Sequence, residues 1–163
     1  MNFSNVITNC DHFKIVCLTE TWLVPEISDG ALFLSRFVIH HNDRPSNDGH
    51  TKHGGVLEAI DSSVQHKRIE LDPKFTETVV EQIMFNDYCC LLCCIYCAPH
   101  QSSYRHSPVL LCELLDSLNR LSSELITSLT LIVGDINFNL TNWSCISKVL
   151  ETHLCKTLHR NWT

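Results

Sequence analysis

Leu131-Ile132-Val133 is an apolar run that breaks at Gly134 and then presents a carboxylate, Asp135, and an amide, Asn137. A strand ending this way fixes polar groups firmly while leaving them open to a substrate. Residues two apart project to the same side wherever strand geometry continues, so Asp135 and Asn137 share a face. A carboxylate can accept a water proton or hold a hard cation, and an amide can donate to a phosphate oxygen. A second carboxylate, Glu20, follows the run Ile15 to Leu18 in the same manner, and Tyr96 closes a third apolar run just before Pro99. Carboxylates at two strand ends far apart in sequence point to one metal-dependent site. The competing reading is a turn in which Asp135 and Asn137 bond their own backbone and Tyr96 is a half-buried aromatic with its hydroxyl at the surface.

The elements that must position these groups are legible as short strands and one clear helix. Phe13 to Leu18 reads as a buried strand, after the last turns of a helix over about 5–12, and Pro25 ends regular structure beyond Val24. Residues 31–40 suggest a second strand, and the polar stretch 41–53 a surface loop. Gly54-Gly55 opens a strand through Ile60, a short one follows near Gln65 to Leu71, and Thr78 to Phe85 turns at Asn86-Asp87 into a cysteine-rich strand. From Ser107 to Leu125 the leucines 110, 111, 114, 115, 118 and 121 recur at spacings of three and four, which predicts a helix with one apolar stripe packed on a sheet. Leu129 to Val133 is the strand that delivers Asp135, and a last helix is predicted after Trp143 to about His159. No repeat at a fixed period is present.

A hydrophobic fraction of 44% with 18% charged residues is enough to build the core of one domain, so the whole chain, 1–163, is read as a single globular unit. No uncharged apolar run reaches the roughly 18 residues of a membrane span, and the N-terminus carries no basic segment followed by an apolar one. The expectation is an intracellular protein, nuclear or cytoplasmic. The net charge of −6 weighs against a freestanding polyphosphate binder, although carboxylates gathered around a divalent ion reverse their local sign.

Ten cysteines raise the question of zinc or disulfides. Cys89 to Cys97 contains CxxC twice, but no turn-forming residue lies between them, and on a strand Cys90 and Cys93 point to opposite faces. They are read as small apolar residues in a buried central strand, Cys89, Cys93 and Cys97 alternating with Cys90 and Cys94. His40, His41, His50 and His53 match no zinc spacing and are read as solvated, while Arg36, Arg44 and Lys52 make a weak, dispersed patch for a DNA backbone.

Four strings, taken in order, carry a family resemblance: Thr19 to Leu23 around Glu20, Gly54 to Leu57, Tyr96 to Pro99, and Gly134 to Asn137. Over about residues 5–145 the chain resembles the endonuclease/exonuclease/phosphatase superfamily. Within it, the chain is most similar to the endonuclease domain of non-LTR (LINE-type) retrotransposons, whose strings read roughly ETWL, GGV, YRPP and GDFN. The resemblance implies an α/β (α+β) fold, a partial four-layer sandwich of two mixed sheets flanked by helices, with the site at one edge. It implies hydrolysis of phosphodiester bonds in DNA, assisted by Mg²⁺ or Mn²⁺, by a domain of a reverse-transcriptase polyprotein. Glu20 is then the metal ligand, Asp135 orients or activates the attacking water, Asn137 donates to the scissile phosphate, and Tyr96 places its hydroxyl near that phosphate.

Departures from the pattern shape the expectation further. Cys97 stands where the family usually has arginine, which removes a positive charge from the phosphate site. The family's domains begin with a strand carrying an asparagine near the metal, and this chain reads as starting inside the helix that follows it. They end with a Ser-Asp-His-like segment, whereas after Asn137 this chain has Glu151, His153 and His159 outside such a motif. The expectation is a truncated remnant of the endonuclease domain with little nuclease activity on its own. The alternatives are a non-catalytic interaction remnant of the same fold and a phosphodiesterase acting on another phosphate ester.

Overall fold

Successive side chains of a strand face opposite ways, so a strand buried at every position must lie inside a sheet that is covered on both sides. In the computed structural model, which describes residues 12–23, 27–32, 35–43, 54–97 and 108–136, two strands meet that condition. All of β3 (Val56–Asp61) is buried, and so is β6 (Tyr88–Tyr96) after its first residue. Around β3 stand β1 (Ile15–Thr19) and β2 (Phe37–Asn42), in the order β1-β3-β2. Around β6 stand β4 (Gln65–Arg68), β5 (Thr78–Phe85) and β7 (Leu129–Asp135), in the order β4-β5-β6-β7.

The two sheets pack face to face. Val56 and Ile60 of β3 meet Val79 and Ile83 of β5 and Leu92, Cys94 and Tyr96 of β6. The opposite face of β3, Leu57 and Ala59, packs with Leu23 and Leu32. The opposite face of β6 carries Leu91, Cys93 and Ile95, which lie against Leu111, Leu114, Leu115 and Leu118 of helix α1 (Pro108–Glu124). The leucine stripe is therefore core, and it is the third layer among the described residues. Deleting a side chain there leaves a void that the sheet cannot close, so Leu114→Ala is expected to cost about 2–5 kcal/mol, read from the urea midpoint.

The architecture is the α/β sandwich of two sheets that the resemblance implied. Among the described residues the first is antiparallel throughout. The second is antiparallel from β4 to β6 and parallel at β6 with β7, because α1 carries the chain back to the starting end before β7 begins. The strand predicted over 31–40 is displaced. Residues Asp29–Ala31 form a 3-10 turn that sends Leu32 into the core, and the strand runs from Phe37 through His41 to Asn42. The strand predicted to Leu71 stops at Arg68.

The cysteines behave as small core residues. Cys93 faces the helix and Cys94 the first sheet, and both are fully buried. Asn86 makes the predicted hairpin turn at φ 52, a conformation asparagine tolerates better than most residues. The helical segments predicted over 5–12 and 143–159 lie outside the described residues, apart from His12. No helix among the described residues is long and apolar enough to cross a membrane.

Candidate active site

Three strands deliver their C-terminal ends to one edge of the sandwich. The β6–β7 pairing is parallel and places Tyr96 directly beside Asp135, and the Cys97 N–H donates to the Asp135 carbonyl at 2.8 Å. From the other sheet, Glu20 follows β1, and the Tyr96 hydroxyl donates to its Oε1 at 2.5 Å. Residues 76 apart in sequence are thus in direct contact. Tyr96 is 5% exposed, whereas Glu20 and Asp135 are open to solvent. A buried hydroxyl holding one of two exposed carboxylates is an arrangement chemically able to hold a hard cation and its water.

Local backbone explains how Glu20 gets there. Glu20 and Trp22 both adopt left-handed conformations, at φ 53 and 52, which cost energy for residues bearing a side chain. They are held by two glycines at the start of β3. The Thr21 N–H donates to the Gly55 carbonyl at 3.4 Å and the Trp22 N–H to the Gly54 carbonyl at 3.0 Å. Gly55 itself sits at φ 88, and a Cβ there would come within 2.6 Å of the Thr21 hydroxyl. Gly54-Gly55 is therefore the clamp that sets the Glu20 turn.

One residue of this edge was not singled out from the sequence. Glu77, 1% exposed, accepts the Gly55 N–H on Oε1 at 2.9 Å, and its carbonyl accepts the Tyr96 N–H at 3.0 Å. It joins the glycine clamp of the first sheet to the tyrosine of the second. The available signal was a carboxylate one residue before a strand, and many surface residues share it.

The basic and histidine readings need correction. Arg36 is at the opposite end of the first sheet from Glu20, its Nε 3.5 Å from Asp61, where Lys14 also lies within 3.3 Å. Hydrogen bonds from Ser63, ahead of the Lys14 charge, hold the Asp61 carboxyl down to about 2. Arg36 is thus committed to a structural ion pair far from the edge that bears Glu20. His40 and His41 are not merely solvated. His41 lies 2.7 Å from Asp43 and 3.5 Å from Asp29, and His40 turns between the sheets. Asn137, Arg44, Lys52, His50 and His53 lie outside the described residues. Cys97, at the position usually held by arginine, has its thiol pushed up to about 11 by burial and by the charges of Glu77 and Asp135. It is neutral at physiological pH and gives the edge no positive charge.

The sequence matches no protein-family model and no curated protein. Its structure is similar to the catalytic domain of human nocturnin, solved with a bound sulfate anion, at 14% identity and a TM-score of 0.54, covering 77% of this chain and 52% of that one. It is similar to a truncated TDP2 from Caenorhabditis elegans at 15% identity and a TM-score of 0.51, covering 84% and 55%. The endonuclease domain of TRAS1, a telomere-specific non-LTR retrotransposon, aligns over 64% of this chain and 43% of its own at 17% identity, but with a TM-score of only 0.39. The chain spans about half the length of nocturnin's catalytic domain and of TDP2. Identities this low speak for architecture and for nothing finer. With two packed sheets, a helix on the outer face of the second and this agreement over most of its length, the chain has the endonuclease/exonuclease/phosphatase fold.

Proposed function

We propose that the edge bearing Glu20, Tyr96 and Asp135 is the divalent-metal site of a phosphodiester-hydrolysing domain, of the DNA endonuclease type found in non-LTR retrotransposons. The observation that carries this reading is the contact between Tyr96 and Glu20 with Asp135 in register beside it. The sequence strings around Glu20, Gly54, Tyr96 and Gly134 favour DNA over other phosphate esters. The half-length coverage of the structural relatives supports the view that the described residues are part of a larger domain.

The donor set fits a hard cation. Tyr96 engages Oε1 of Glu20, which leaves Oε2 as an oxygen ligand, and Mg²⁺ or Mn²⁺ commonly takes one or two carboxylates and retains water. When bound, such an ion neutralises charge that builds on the phosphate and the leaving oxygen. Tyr96 fixes the orientation of Glu20. Asp135 is exposed, and a carboxylate there can accept the proton of a water attacking the phosphate. Asn137, two residues on, is assigned the hydrogen bond to the phosphate oxygen by the sequence resemblance. With Cys97 neutral in place of arginine, substrate charge is met by the ion and by hydrogen-bond donors.

Metal binding tests this reading without depending on residues beyond this edge. Trp22 is 52% exposed and two residues from Glu20, so its fluorescence should report Mn²⁺ or Mg²⁺. Glu20→Gln is expected to weaken binding about tenfold or more and Tyr96→Phe by less, since the first removes a ligand and the second only its support. Unchanged Mn²⁺ affinity in Glu20→Gln would overturn the assignment. So would robust plasmid nicking that survives both Glu20→Ala and Asp135→Ala.

A further inference from the structure

Away from the Glu20 edge, His40 of β2, His66 of β4 and Glu81 of β5 converge between the two sheets, with one ligand atom from each within 4.8 Å of the others. The carboxylate is fully buried, and neither of its oxygens has a hydrogen-bond partner. His40 Nε2 stands 3.7 Å from Glu81 Oε1 and is likewise buried without a hydrogen bond. Arg68 is directly opposite Glu81 in the register, yet its Nε lies 3.5 Å from Glu70 instead. Leaving such groups unpaired is costly, and proteins seldom tolerate it without a partner.

We propose that His40, His66 and Glu81 form a Zn²⁺ site that ties the β2 edge of the first sheet to the β4–β5 edge of the second. Two imidazoles and one carboxylate match zinc's borderline preference better than that of Mg²⁺, which favours all-oxygen ligation. His66 is already prepared for the role. Its Nδ1 lies 2.9 Å from the Val64 carbonyl, and donation there leaves Nε2 with its lone pair, the usual second contact of a metal-bound histidine. Zinc at about 2 Å from each ligand brings ligand atoms to roughly 3.3 Å apart, so the His40–Glu81 pair needs to close by only a few tenths of an ångström. The fourth position of the tetrahedron is left for a water. The rings of His40 and His66 are edge to face with centroids 5.6 Å apart, so both present nitrogens to a common space without stacking.

The metal-stripped chain is titrated with Zn²⁺ against a chromophoric chelator. Glu81→Gln and His66→Ala should each weaken one equivalent of zinc by about 100-fold or more. Glu20→Gln and Cys17→Ser should leave that equivalent intact, which separates it from the Glu20 edge and from the buried cluster of Cys17, Glu58 and Cys94. Co²⁺ in the site should show visible d–d bands without the near-ultraviolet band of a thiolate ligand. Glu81→Gln keeps the shape of the side chain and removes a buried ionisable group, so its metal-free form should melt no lower than wild type. Zinc should raise the melting temperature of wild type and not that of Glu81→Gln. Equal zinc affinity in wild type, Glu81→Gln and His66→Ala would overturn the proposal, as would a thiolate band that disappears in Cys17→Ser.

Discussion

Gly134→Ala is expected to destabilise the fold by about 4 kcal/mol or more, a large share of the roughly 5–15 kcal/mol that holds a domain together. Gly134 sits in β7 at φ 124, a conformation closed to residues with a Cβ. The added carbon would lie 1.9 Å from the Ile95 carbonyl oxygen, 2.9 Å from its carbon and 3.0 Å from its nitrogen. All three are backbone atoms of the neighbouring strand, paired in register with Gly134, so no side chain can swing aside. The parallel pairing of β6 and β7 must open, and with it the juxtaposition of Tyr96 and Asp135. Gly30→Ala is the matched control, because a Cβ there meets nothing within 4 Å. Urea unfolding measures both. A loss below about 1 kcal/mol for Gly134→Ala would show that β7 does not pair with β6 in this register.

Stability should fall as pH rises from about 5 to 7, the reverse of the usual behaviour of paired carboxylates. Glu58 and Glu81 both point into the space between the sheets, fully buried and without a well-formed hydrogen bond. Burial first, then the neighbouring Cys17 and Glu81, pushes the Glu58 carboxyl from 4.5 up to about 9. Burial, partly offset by the Arg68 charge, pushes Glu81 from 4.5 up to about 7. Between the unfolded and folded values the folded chain holds a proton that the unfolded chain has released, so each unit of pH in that window favours unfolding. For Glu58 the window runs from 4.5 to about 9. At ~1.4 kcal/mol per unit the cost of Glu58 alone reaches about 3 kcal/mol by pH 7. Asp61 acts in the opposite sense, but its carboxyl, lowered from 3.8 to about 2, weakens the fold only under more acid conditions. Glu58→Gln should therefore gain most of that energy at pH 7 and little at pH 4.5, in urea titrations without added metal. Wild type more stable at pH 7 than at pH 5, or the same pH slope in Glu58→Gln, would contradict this account.

The sequence alone determined the local elements whose physics is short-range. The leucine spacing over 110–121 specified a helix and its buried face, and β5 and its hairpin into β6 could be read from alternation and Asn86-Asp87. The cysteine run was legible as buried strand because it lacked turn residues and because thiols pack as small apolar groups. Strand ends at Glu20, Tyr96 and Asp135 were legible too, since each is where an apolar run stops. Tertiary structure decided what these ends meet. The parallel register that sets Tyr96 beside Asp135, and the packing that brings Glu20 to Tyr96, arise from contacts between residues far apart in the chain. The same holds for Glu77, whose role as a link between sheets depends on Gly55 from another strand. His40 carries no metal-site signal in the sequence because its partners, His66 and Glu81, come from two other strands. A sequence displays neighbours along the chain, whereas the desolvation that makes Glu58 and Glu81 costly, and makes His40 a candidate ligand, exists only once two sheets close over them.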